Sequence, residues 1–192
     1  MKLIILEGGD QLGKSTLIEG ICKHFCYDNV TIRHFGKPPK DIKNILNFQF
    51  NAFMREQDLF FHIAYHDNQK YNYYPNILIW NRGHLGEYVY GQMFRKAHPE
   101  ELKLRLIGFE KYFVSYNVYL ITLTADPNFF FSKEDGNSFS NDLITKTKEL
   151  ELFKEAHEFS IIRNKLIVKV DHNGKFWPKQ DILNKVINFI NI

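Results

Sequence analysis

Gly8-Gly9-Asp10-Gln11-Leu12-Gly13-Lys14-Ser15 is the stretch of this chain that decides its fold. It fits G-x-x-x-x-G-K-[ST], the pattern of a loop that wraps phosphate. The apolar run Leu3-Ile4-Ile5-Leu6 precedes it and the amphipathic segment Thr16-Leu17-Ile18-Glu19-Gly20-Ile21 follows, so the loop joins a strand to a helix. A chain this size matches the bare pattern by accident about once in 100 to 200 cases, and the strand–loop–helix order is what argues against accident. Gly8 and Gly13 permit backbone angles and close approaches that a Cβ obstructs. The N–H groups of the loop, Gly8 to Thr16, then converge on phosphate oxygens at a helix N-terminus carrying about half a positive charge. Lys14 supplies a mobile charge for the β- and γ-phosphates, and Ser15 a hydroxyl for Mg²⁺. The implied ligand is a nucleoside triphosphate.

With 192 residues and 44% hydrophobic content, the chain suits one globular domain spanning 1–192. Its formal charge of +3 fits an anionic small molecule, and no cluster of Lys and Arg marks a nucleic-acid surface. Cys22 and Cys26 lie four apart on the first helix and read as buried or half-buried thiols, since a structural zinc needs two more ligands. No apolar segment approaches the ~20 residues of a membrane span. A reducing, cytosolic compartment is expected, which is the host cytoplasm if the chain is viral.

Apolar runs and helical stretches alternate along the whole chain. Strands are predicted at Lys2–Leu6, Val30–Phe35, Asn76–Trp80, Tyr119–Thr124 and Leu166–Val170. Helices are predicted at about Lys14–His24, Lys40–Tyr71 (with a break near Asn51), Gly86–Lys96, Pro99–Phe113, Asn141–Ile162 and Gln180–Ile190. Continuous apolar strands separated by helices imply an α/β fold, a doubly wound five-stranded parallel sheet with helices on both faces. Ligands in such sheets bind at the carboxyl ends of the strands. Asn81-Arg82, directly after the third strand, therefore belongs beside the phosphate loop, where an Arg can grip a phosphate bidentately.

These residues resemble the thymidylate kinases, a family of P-loop nucleoside monophosphate kinases. Leu6 to Thr16 is similar to the family's first motif, F-E-G-x-D-G-x-G-K-[ST]-T. Arg82 matches the Arg of its D-R-Y segment and Tyr90 the Tyr eight residues on. Asp126-Pro127 resembles the lead-in to the family's lid, here around 128–142, and Lys133 falls where members carry a lid Arg. Val170-Asp171 with Gly174 resembles the loop near the donor adenine. The resemblance implies ATP and Mg²⁺ as cofactors, dTMP as acceptor, and a homodimer handling small-molecule nucleotides. By the same resemblance Asp10 meets the acceptor sugar, Arg82 and Tyr90 serve the acceptor, and Lys133 crosses to the transferring group. Phe60 and Phe61 then stack on the acceptor base and His66 meets its edge, although Phe53, Phe60 and Ala64 share a helical spacing that suits core packing better for at least one of them.

The departures from the family are specific. Asn81 replaces its Asp, His66 stands where an Arg is usual, and Gly83-His84-Leu85-Gly86 is not the usual continuation. The phosphate-gripping pattern after the second strand is missing, with Arg33 and Lys37 the nearby candidates. Two other readings stay open on these residues. One is a kinase of a hydroxyl acceptor, with Glu7, Asp10 or Glu87 as base. The other is a nucleotide-binding protein whose kinase chemistry has decayed.

Overall fold

A computed structural model describes residues 1–36, 38–39, 41–67, 76–136, 138 and 140–191, the side chains of 66 and 67 excepted. Five strands, β1 (Lys2–Glu7), β2 (Val30–His34), β3 (Ile77–Asn81), β4 (Val118–Thr124) and β5 (Asn164–Lys169), pair all-parallel in the order β2-β3-β1-β4-β5. The doubly wound sheet expected from the sequence is therefore present. Alternation along each strand divides the core into two layers. Ile4, Leu6, Ile79, Ile121 and Val168 face helices α1 (Lys14–Phe25) and α7 (Lys179–Ile190). Leu3, Ile5, Leu78, Trp80 and Leu120 face α2 (Ile45–Asp67), α3 (Leu85–Arg95), α4 (Pro99–Glu110) and α6 (Leu143–Phe159).

Local chemistry accounts for where the elements differ from expectation. The helix expected from Lys40 begins at Ile45, because the Asn44 side chain accepts the Asn47 N–H at 2.9 Å and caps it there. It runs unbroken through Asn51 to Asp67, and 68–75 lie outside the described residues. After β4, Asp126 accepts the N–H groups of Asn128 and Phe129, and Pro127 opens a short helix, α5 (Pro127–Phe131), that the apolar pattern did not announce. A capping box between Asp142 and Thr145 sets the start of α6. A small hairpin, β6 (Asp171–His172) with β7 (Lys175–Phe176), follows β5.

The carboxyl end of β1 is the tightest place in the fold. Gly8 has φ 124°, and a Cβ there would lie 2.5 Å from the Leu123 carbonyl oxygen. A Cβ on Gly9 would lie 2.3 Å from the ring of Phe130, itself fully buried. Gly9→Ala is therefore expected to cost about 1–3 kcal/mol by overpacking, read as a lowered Tm. Adding Phe130→Leu to Gly9→Ala should recover part of that loss, because the obstructing ring is removed.

Candidate nucleotide site

Lys14 is only 6% exposed, and its ammonium donates to the carbonyls of Gly8 (2.7 Å) and Gly9 (2.5 Å). The loop thus curls around the cation, with Gly13 (φ 86°) turning the chain into α1. Burial, partly opposed by Asp10, lowers the Lys14 pKa to about 8. Leu12 is buried beneath the loop, while Ser15 and Thr16 are exposed on the first turn of α1. Gln11 adopts φ 65°, and its buried Oε1 has no hydrogen-bond partner among the described residues.

Arg82 follows β3 in a left-handed conformation, φ 62°, with its N–H on the Leu6 carbonyl at 3.0 Å. Its Nη2 donates to Asp10 Oδ1 at 2.6 Å, which closes a bridge over the phosphate loop. Beneath lies Glu7, fully buried, its carboxyl raised by desolvation and accepting the Leu85 N–H at 2.9 Å. Tyr90 donates its hydroxyl to Glu149 Oε1 at 2.8 Å. Burial pushes the Glu149 carboxyl up, and its oxygen would lie 3.1 Å from a Cβ on Gly9. Asp10, Arg82, Lys14, Tyr90 and Glu149 therefore form one cluster.

A cleft of about 860 Å³ opens beside Asp10, Lys14 and Arg82, lined by the loop from Asp10 to Leu17, by His34 and Asn81, and by Trp177 beyond α1. That volume suits a small-molecule ligand. Among the described residues no three His, Cys, Asp or Glu side chains come together as a metal site. Cys22 is buried and Cys26 exposed. No described helix is long and apolar enough to cross a membrane.

Of the other residues singled out from the sequence, Lys133, Asp171 and Phe61 are not among those that line the cleft. Lys133 sits over the rings of Phe129 (4.8 Å) and Phe176 (5.7 Å). Asp171 is buried, accepts the Asp126 N–H at 2.8 Å, and lines a separate cavity of about 410 Å³ with Asn128 and Asn173. Phe61 packs on Tyr116 (4.7 Å) and Phe113, just ahead of the first residue of β4, so it stands at the amino end of the strands. The cause is the direction of α2, which starts near Gly36 through the Gln49 bond to that carbonyl and descends away from the cleft. His66 is in the last turn of the same helix, and its side chain lies outside the described residues. Of the two candidates near the end of β2, Arg33 pairs with Glu56 at 2.9 Å, and Lys37 lies outside the described residues.

The loop expected as a lid is tied down from within. Glu134 accepts the Gly136 N–H at 2.8 Å and pairs with Lys146 at 2.5 Å. Burial opposes ionisation of Glu134, but the bonds from Lys146, Ser138 and Gly136 outweigh it and hold its pKa at about 2. Lys146 is fully buried, 4.0 Å from the Phe130 ring centroid, so the loop connects through Phe130 to Gly9. Neither Glu149 nor Lys146 falls in a recognisable motif. Only the fold of α6 over the phosphate loop brings them in.

No family model matches this chain, and no curated protein does. Its fold is shared with solved structures of P-loop nucleotide kinases. The YorR protein from Bacillus subtilis, solved in complex with phosphorylated GDP, is 18% identical with a TM-score of 0.68 over 99% of this chain and 96% of its own. Thymidylate kinase from Ehrlichia chaffeensis is 11% identical, TM-score 0.60, over 97% of each chain. Deoxyadenosine kinase from M. mycoides with bound dATP is 12% identical, TM-score 0.53, over the whole of both. Such likeness establishes the architecture, a P-loop kinase fold of the thymidylate and deoxynucleoside kinase type.

Two outcomes are expected from these charges. With Lys14 protonated below about pH 8 and neutral above, binding of an anionic triphosphate should weaken about tenfold per pH unit above that point. Calorimetry of MgATP binding at pH 8.5, in buffers of different ionisation enthalpy, should then record uptake of up to about three-quarters of a proton. Glu134→Gln strands a buried ammonium and should cost about 3 kcal/mol, whereas Lys146→Met, which keeps apolar volume over Phe130, should cost less. Urea titrations give the order.

Proposed function

We propose that this chain is a kinase that transfers the γ-phosphoryl group of ATP to a deoxynucleoside monophosphate, with dTMP the first candidate acceptor. The observation that carries the reading is the Arg82–Asp10 bridge at 2.6 Å, standing beside the Lys14 loop at the carboxyl end of the sheet. A guanidinium held there is placed to receive an acceptor phosphate while the loop amides and Lys14 hold the donor. The state of the carboxylates supports a phosphate acceptor over a hydroxyl one. Glu7 is buried on the Leu85 N–H, Glu87 is paired with Arg95, and Asp10 is bound to Arg82. A hydroxyl would need one of them as a free base, whereas a monophosphate oxygen is already ionised near pH 7.

In the proposed reaction an acceptor phosphate oxygen attacks the γ-phosphorus, and the bond to the β–γ bridging oxygen breaks as ADP departs. A bound Mg²⁺ would supply charge neutralisation on the donor phosphates. Ser15, exposed at the head of α1, is the residue placed to hold it, and a hydroxyl with phosphate oxygens is the hard-ligand set the ion prefers. Asp10 is assigned to the acceptor sugar once the phosphate has taken over Arg82. Tyr90 orients Glu149 along the acceptor side. Lys133 would reach the transferring group only by leaving the rings of Phe129 and Phe176, as part of a lid around 128–142. Asp171 serves the donor end by fixing the turn at Asp126. Phe61 has no part in base recognition here, given its place at the opposite end of the strands.

Purified protein with ATP, Mg²⁺ and a panel of dTMP, dUMP, dCMP, dAMP and dGMP should release ADP and one diphosphate above the rest. No turnover with any of them, from folded protein that binds ATP, would leave a nucleotide-binding protein without this activity. Arg82→Ala should lower kcat/KM for the acceptor about 100-fold and leave ATP affinity nearly unchanged.

A further inference from the structure

The tip of β2 carries a side chain that the reaction above does not use. His34 ends β2 in register with Asn81, which ends β3. Asn81 is 4% exposed, and its Nδ2 lies 2.8 Å from His34 Nδ1. Asn81 Oδ1 has no hydrogen-bond partner among the described residues. The amide orientation follows from what each choice leaves unpaired. As it stands, one acceptor oxygen is left over. Turned around, a buried NH₂ with two donors would be, and orphaned donors are the rarer case in folded proteins. Asn81 therefore donates to Nδ1, and the neutral ring carries its proton on Nε2.

The ring lines the cleft shared by Lys14, Arg82 and Asp10. Desolvation first, then the charges of Arg82 and Lys14, push its pKa below the usual imidazole range against a smaller opposing effect of Asp10. A neutral ring is thus the form at pH 7. Strand alternation separates it from Arg33, which turns to the other face and is engaged by Glu56.

We infer that His34 is an acceptor-binding residue, whose Nε2–H donates a hydrogen bond to a phosphate oxygen of the monophosphate held by Arg82. This rests on the monophosphate kinase reading. It also sharpens that reading, because a ring fixed with its proton on Nε2 can donate to an anion but cannot accept a proton from a hydroxyl.

Two measurements decide it on the full chain. In ¹⁵N-labelled protein at pH 7.5, long-range ¹H–¹⁵N correlations of His34, assigned by their loss in His34→Gln, should show a bare Nδ1 and a protonated Nε2. A protonated Nδ1 with a bare Nε2 overturns the inference. In steady-state kinetics with the monophosphate that the native protein turns over fastest, His34→Ala should raise KM for that acceptor about tenfold. Its kcat and KM for ATP should stay within about twofold. His34→Gln, whose amide nitrogen stands near the place of Nε2, should recover most of the loss. Native turnover with an unchanged acceptor KM in His34→Ala removes this role alone, while absence of native turnover on every monophosphate removes the kinase reading and the role with it.

Discussion

The closeness of backbone and rings at the end of β1 governs the rest of the site. Gly8 lies under the Leu123 carbonyl and Gly9 under the Phe130 ring, with room for no side chain at either. The chain can leave the strand only by curling back, and the curl encloses the Lys14 ammonium between two carbonyls. That fixes where α1 begins and where its N-terminal amides converge. It also ties the loop to α5 and α6, since Phe130 lies between Gly9 and Lys146.

Charge is arranged around that curl with every strong group answered. Lys14 has Asp10 and Glu149 near it, Arg82 has Asp10, and Lys146 has Glu134. Glu7 and Glu149 are raised by burial and satisfied by neutral donors. An incoming phosphate would compete with Asp10 for Arg82 and with two carbonyls for Lys14. Such partners are exchangeable, because a dianion offers both cations a stronger charge-assisted bond. The low pKa of Lys14 reflects the cost of holding a buried ammonium on neutral oxygens, and a bound polyphosphate would relieve it.

Much of this was legible from local pattern. The apolar runs at Lys2–Leu6 and Tyr119–Thr124 are strands because each buries both faces, and the glycine spacing of Gly8 and Gly13 marks the loop between strand and helix. Arg82 was placed by the strand-end rule, and it lies where the rule puts it. What the sequence hid depends on distant packing. Phe61 is three-dimensionally remote from the cleft because α2 runs down the sheet, a direction that helical periodicity does not encode. Glu149 and Lys146 read as ordinary helix charges until α6 lays them against Phe130 and Tyr90. His34 meets Asn81 through the register of β2 with β3, which no local signal announces.

Amide hydrogen exchange tests, at the atoms concerned, whether the Gly8–Ser15 loop cradles phosphate. Residue-resolved exchange with and without saturating MgATP should show slowed exchange at the amides of Gly13, Lys14 and Ser15, with smaller changes along β5 and α4. Unchanged exchange at those three amides, in protein shown by calorimetry to have bound MgATP, would mean that the triphosphate sits elsewhere and that this loop is not its cradle.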